Sequence, residues 1–159
     1  MKIRASLAQC LVLVRYFLWV IPAVVSAADL APPEIRLATA PQRVMLVQQG
    51  DLHSASVTQT GAAQTIHALQ AGLGEQFRVT QIGEMNDATL VQNGTRNTLS
   101  LIQNGHLNQA SIAQSATQVS ASLVQNGWGH RADIRQYNPT SQAVVRQDGN
   151  QGRATLVQY

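Results

Sequence analysis

Large rings are nearly absent from this chain of 159 residues: 4% are aromatic although 45% are hydrophobic. A globular core built around aromatic side chains is therefore excluded. Cysteine is scarcer still, a single Cys10 near the start, so no disulfide staples the chain and its stability has another source. Charge is sparse as well, at 12% of residues with a net of +3. That excess traces to Lys2, Arg4 and Arg15, because from Ala28 onward eight Arg balance eight Asp and Glu. The basic isoelectric point thus gives no reason to expect a nucleic-acid partner. The longest uninterrupted apolar stretch, residues 16–25, contains Pro22 and is too short to span a bilayer comfortably.

Against these absences stands one residue in strict register. Glutamine returns every eleven positions as Gln48, Gln59, Gln70, Gln81, Gln92, Gln103, Gln114, Gln125, Gln136, Gln147 and Gln158. Two positions after most of these comes glycine: Gly50, Gly61, Gly72, Gly83, Gly94, Gly105, Gly127 and Gly149, with Ala116 and Asn138 as the exceptions. A fixed period with a turn residue in each copy specifies a repeat architecture. A right-handed helical supercoil has the same period, but a glycine in each copy costs a helix about 1 kcal/mol. The segments before the glutamines, such as Arg78-Val79-Thr80-Gln81 and Ser111-Ile112-Ala113-Gln114, alternate and are rich in β-branched residues, so they read as strands of about five residues.

Parity then orients the strands. Counting from each Gln, position seven is small or apolar (Ala55, Ile66, Phe77, Ala88, Leu99 and the alanines that follow) and position nine is apolar throughout. Positions seven, nine and eleven share one face of a strand, so the next Gln points inward beside aliphatic side chains. A buried amide without a partner costs about 1–3 kcal/mol, and the column is tolerable when each amide bonds the next. Gln residues stacked at the strand spacing of about 4.8 Å form such a ladder. Both glycine losses fall in alternate copies, which points to a 22-residue coil of two strands joined by arcs, with strand n stacked on strand n+2. The expected fold is all-β: a β-solenoid of about five coils over residues 44–159.

Ahead of it, a basic start, the apolar run and Val25-Ser26-Ala27 read as an export signal over residues 1–27, with cleavage after Ala27 or Ala28. Residues 28–43, with Pro32, Pro33 and Pro41, read as a flexible leader. No chemistry of catalysis or metal binding is expected. Asp51, Glu75, Glu84 and Asp148 lie in separate turns, and His53, His67, His106 and His130 lack ligand spacing and read as scattered surface residues. No cofactor is implied.

The pattern Gln-x-Gly-x-x-Asn-x-Ala-x-x-x-Gln, met by Gln81-Gly83-Asn86-Ala88-Gln92 and Gln103-Gly105-Asn108-Ala110-Gln114, resembles the curlin repeat of bacterial functional amyloid. Asn97 is the third Asn of that column. The resemblance implies a secreted subunit that leaves through a dedicated outer-membrane channel with its accessory proteins, then joins curli fibres on the cell surface for biofilm and adhesion. Its partners would be the major curlin subunit and other copies of itself. Towards the end the copies depart from the pattern: Tyr137-Asn138-Pro139 replaces a glycine turn, and Arg131, Arg135, Arg146 and Arg153 collect. A degenerate basic end is similar to the minor, nucleating subunit, in which it would anchor the protein to the cell surface; protection of the sheet edge is the other reading of these arginines. The alternatives are the major fibre subunit and, from another class, an ice- or glycan-binding solenoid. The last would need a regular outward lattice, and Ser56, His67, Arg78, Thr89 and Ser100 do not form one.

Overall fold

The computed structural model describes residues 9–15, 34–37 and 42–159, and the side chains of 42–159. The expected cleavage site and apolar run lie outside these residues. Two short strands come first, β1 (Gln9–Arg15) and β2 (Glu34–Leu37). Eleven follow at a spacing of eleven residues: β3 (Arg43–Asp51), β4 (Ser54–Ala62), β5 (Thr65–Leu73), β6 (Gln76–Glu84), β7 (Asp87–Thr95), β8 (Thr98–His106), β9 (Gln109–Thr117), β10 (Ser120–Trp128), β11 (Arg131–Gln136), β12 (Gln142–Asn150) and β13 (Arg153–Gln158).

Odd strands form one sheet in the order β1-β3-β5-β7-β9-β11-β13, and even strands form the other in the order β12-β10-β8-β6-β4-β2. From β2 onward every pairing is parallel and every partner lies 22 residues away, as in Gln81↔Gln103 and Gln92↔Gln114. The chain is a β-solenoid of about five coils. The connections are arcs between facing sheets, because parallel neighbours cannot be joined by hairpins.

Most strands run nine residues rather than five, because the ladder continues through the glycine into the arc. There the backbone takes φ of about +100 to +140° at the glycines, and a Cβ on Gly105 would meet the carbonyl oxygen of Gly127 at 1.9 Å. The exceptions obey the same geometry. Ala116 and Asn138 occur where β11 ends at Gln136, so the glycine column is not continued from β9. Two residues beyond each glycine the backbone is left-handed again, at Gly74 and Gly129 but elsewhere at non-glycine residues such as Leu52, Met85, Arg96 and Leu107 with φ of 54–61°. Backbone bonds between arcs hold them there, for example Met85 N–H to Ala62 carbonyl at 3.0 Å and Arg96 N–H to Leu73 carbonyl at 2.8 Å.

The core is the pair of inward columns. Leu46, Ile66, Leu90, Leu99, Leu101, Ile112, Leu123 and Ile134 are fully buried between the sheets, interleaved with Ala55, Ala88, Ala110, Ala121, Ala132 and Ala143. Alternating small and large residues let the sheets approach, and Phe77 is the one aromatic ring among the buried core residues described.

Residues 28–43, the expected leader, contain a strand of the even sheet. Glu34–Leu37 pairs with β4 in the repeat register, with Leu37 opposite Gln59, and Gln42 is buried within the first coil. The register follows from Ile35 and Leu37, whose spacing matches positions nine and eleven of a repeat.

Candidate functional site

All eleven periodic glutamines lie on the inner faces of the strands, and they form two ladders. In the odd sheet, Nε2 of Gln48 donates to Oε1 of Gln70, and the chain continues through Gln92, Gln114 and Gln136 to Gln158 at 2.7–3.0 Å. In the even sheet, Gln59, Gln81, Gln103, Gln125 and Gln147 bond in sequence at 2.6–2.9 Å. Every donor points the same way, so both ladders are polar: each presents Oε1 acceptors at its first coil and Nε2 donors at its last.

The second amide hydrogen crosses the core. Gln92 donates to the carbonyl of Gln76 at 2.9 Å, Gln103 to Asp87 at 3.1 Å and Gln136 to Ser120 at 3.0 Å, the acceptor being the start of a strand in the facing sheet. Each glutamine from Gln70 onward therefore ties coil to coil and sheet to sheet. Amides that use both hydrogens and an oxygen are satisfied in the interior. Among the ladder amides, one buried oxygen is not: Oε1 of Gln59 has no partner. Its donor would come from one coil earlier, where the register places Leu37.

A second column, largely polar, lies five residues after each ladder Gln, with Val119 as its buried apolar member. Asn86, Asn97 and Asn108 belong to it, and so do Gln42, His53, Gln64, Glu75 and His130, all buried. Its amides satisfy the inward carbonyls of the arcs: Gln64 Nε2 to Gly83 at 2.8 Å, Asn86 Nδ2 to Gly105 at 3.1 Å, Asn97 Nδ2 to Ala116 at 2.9 Å and Asn108 Nδ2 to Gly127 at 3.1 Å. The Asn side-chain oxygens accept backbone N–H groups from one coil on, Asn86 Oδ1 from Asn108 and Asn108 Oδ1 from His130.

The reading of all four histidines as surface residues is corrected by this column. His53 and His130 are 2% and 1% exposed. In each ring Nδ1 accepts a backbone N–H, from Glu75 at 3.3 Å and Gly152 at 3.0 Å, which leaves Nε2–H to donate to the carbonyls of Gln49 and Asn126 at 3.0 Å. They do the work of the asparagines with a ring. Glu75 is the unusual member. It is 0% exposed, Oε2 has no partner, and Oε1 accepts a 3.3 Å bond from Asn97. Burial pushes its carboxyl up to about 7, against the opposing pull of the Asn97 bonds.

The four arginines of the last coils divide into two kinds. Arg135 pairs with Asp133 at 2.9 Å and Arg146 with Asp148 at 2.6 Å, each pair exposed and two residues apart. The Arg146 bond holds the Asp148 carboxyl below its ordinary range. Arg131 and Arg153 stand opposite each other on β11 and β13, and among the described residues neither has an ion-pair partner. The outward row Val47, Leu69, Val91, Ala113 and Val157 shares the odd sheet and is interrupted by Arg135. Tyr137 and Tyr159 stack at the last coil with ring centroids 5.7 Å apart.

Among the described residues no three His, Cys, Asp or Glu side chains gather into a metal-ligand cluster. Comparisons with protein-family models, with characterised proteins and with solved structures returned no match.

Proposed function

We propose that this chain is an exported amyloid subunit of the curli type, the minor subunit that nucleates a major curlin at the cell surface, where the fibres serve biofilm formation and adhesion. The observation that carries the reading is the pair of polar amide ladders, unbroken from Gln48 to Gln158 and from Gln59 to Gln147. A ladder that ends in unmet Nε2 donors, on sheets whose last strands have open edges, is a template. An incoming chain with Gln at the same spacing gains a register, a row of backbone bonds and amide partners in one step. Export as an unfolded chain through an outer-membrane channel, assisted by accessory proteins, suits a fold without disulfides. The departure from regularity at β11 and the unpaired Arg131 and Arg153 favour the nucleator over the major subunit, since fibre growth by identical copies favours regular ends.

Deletion of this chain in its host tests the role. Loss of surface fibres while the major subunit is still secreted is the expected result. Unchanged fibres would remove the nucleator assignment. Purified chain should also form fibres with a reflection near 4.8 Å, and a soluble monomer that persists for days at micromolar concentration overturns the assembly reading altogether.

A further inference from the structure

We infer that the C-terminal edge of the solenoid is built to accept a strand pair from a different amide-ladder chain and to disfavour a second copy of this one. The inference rests on the stacking mode of the proposed function and specifies its partner.

The register determines what a second copy would present. The odd sheet holds six parallel strands, β3 to β13, and the even sheet completes its six only by counting β2. A copy stacked on the last coil in phase therefore lays its β2 on β12 and its β3 on β13. The edge of β3 is occupied by β1, antiparallel with Arg15 opposite Arg43, so this stacking needs residues 9–15 removed, as expected of an export signal.

Three columns then meet badly. At position six, Arg153 of β13 comes opposite Arg43, the residue that pairs with Thr65 in its own sheet. Since Arg131 already stands opposite Arg153, the junction would hold three arginines in a row at a strand spacing of about 4.8 Å. At position ten, Arg146 of β12 comes opposite Arg36, which pairs with Thr58 in its own sheet. At the ladder position, Gln147 Nε2 comes opposite Leu37, which has no amide. Only Gln158 meets Gln48 and extends its ladder.

Like charges directly opposite one another on neighbouring strands destabilise the pairing, and a desolvated donor without an acceptor adds to the penalty. Specificity by such mismatches needs no new attraction. The fitting partner has Gln at both ladder positions and a neutral or acidic residue where this chain carries Arg43 and Arg36. Asp87, in the column of Arg43, shows that a carboxylate is accommodated there.

A charge-exchange cycle on the chain freed of residues 1–27 tests this, with strand content checked by circular dichroism and self-elongation followed by fibre growth from sheared seeds. Arg43→Glu and Arg153→Glu should each accelerate homotypic elongation about two- to five-fold, the range expected of one cross-strand pair. The double variant should return to the unmodified rate, because it restores like charges. The unmodified chain should elongate faster as salt is added and each single variant slower. This salt response is read without any substitution in the unmodified chain, so a variant that fails to fold leaves the test intact. Equal rates and equal salt responses in all four proteins overturn this inference while the stacking reading stands. Absence of ordered assembly in all four overturns both.

Discussion

Asn97 reaches back 22 residues to donate its side-chain amide at 3.3 Å to Glu75, a carboxyl group that solvent does not touch. Everywhere else in this column the side chain is an amide, a neutral imidazole or a smaller residue. Glu75 can match them only when protonated, and burial accordingly lifts its carboxyl from 4.5 to about 7.

The pH dependence of stability follows with a definite sign. The folded chain holds the Glu75 proton at pH values where the unfolded chain has released it. The contribution of Glu75 to stability is therefore greatest below about 4.5, falls as pH rises from 4.5 to 7, and levels off above that. The loss is on the order of 3 kcal/mol for a shift of this size. Glu75→Gln, which recreates the residue at Gln64, should abolish that slope and stabilise the solenoid at pH 8. Denaturant titrations of both proteins at pH 4.5 and pH 8 measure it; parallel pH profiles would show that the carboxyl is not the source.

The ladder should be far more sensitive than the outer face. Gln103→Ala removes the acceptor of Gln81, the donor to Gln125 and the bond to the Asp87 carbonyl. Orphaned buried amides cost about 1–3 kcal/mol. Ser100→Ala, on the outward face of the same strand, should change stability by less than about 0.5 kcal/mol. Self-assembly rates should follow the same order, and equal effects would contradict the inward assignment of the glutamines.

Two glycines of one column should respond differently to the same methyl group. At Gly105, φ is +134° and the added Cβ would lie 1.9 Å from the Gly127 carbonyl oxygen. Gly149, with φ of +98°, has nothing within 4 Å of that point because it lies at the end of the even sheet. Gly149→Ala should cost about 1–2 kcal/mol of backbone strain, whereas Gly105→Ala should disrupt the arc. Urea midpoints of the two variants separate the contributions.

Much of this was readable from residue identity. The eleven-residue period, the parity of Ala88, Leu90 and Gln92, and the alternation of glycine losses together specify stacked two-strand coils. What identity hid were columns whose chemistry is shared by unlike residues. The position of Asn86, Asn97 and Asn108 is also filled by Gln64, His53, His130 and Glu75, because any side chain that reaches the arc can satisfy it. Repetition of one letter does not reveal such a column, and for that reason His53 and His130 read as surface residues in the sequence. The left-handed residues were hidden likewise: Leu52, Met85 and Arg96 carry no glycine signal, and bonds between arcs impose their φ.

The first coil offers the last prediction. Gln59 Oε1 is buried and has no partner, and the register places Leu37 one coil before it. Leu37→Gln would put an amide where the even ladder lacks its first rung, so that Nε2 of the new residue donates to Gln59 as Gln59 donates to Gln81. Satisfying one buried acceptor should stabilise the first coil by about 1 kcal/mol. It should also slow amide hydrogen exchange in Ser54–Ala62, the strand that β2 covers. Leu37→Asn, whose amide is shorter by one methylene, serves as the control and should gain less. Unchanged exchange in Ser54–Ala62 with Leu37→Gln would mean that the leader strand does not hold the repeat register in solution.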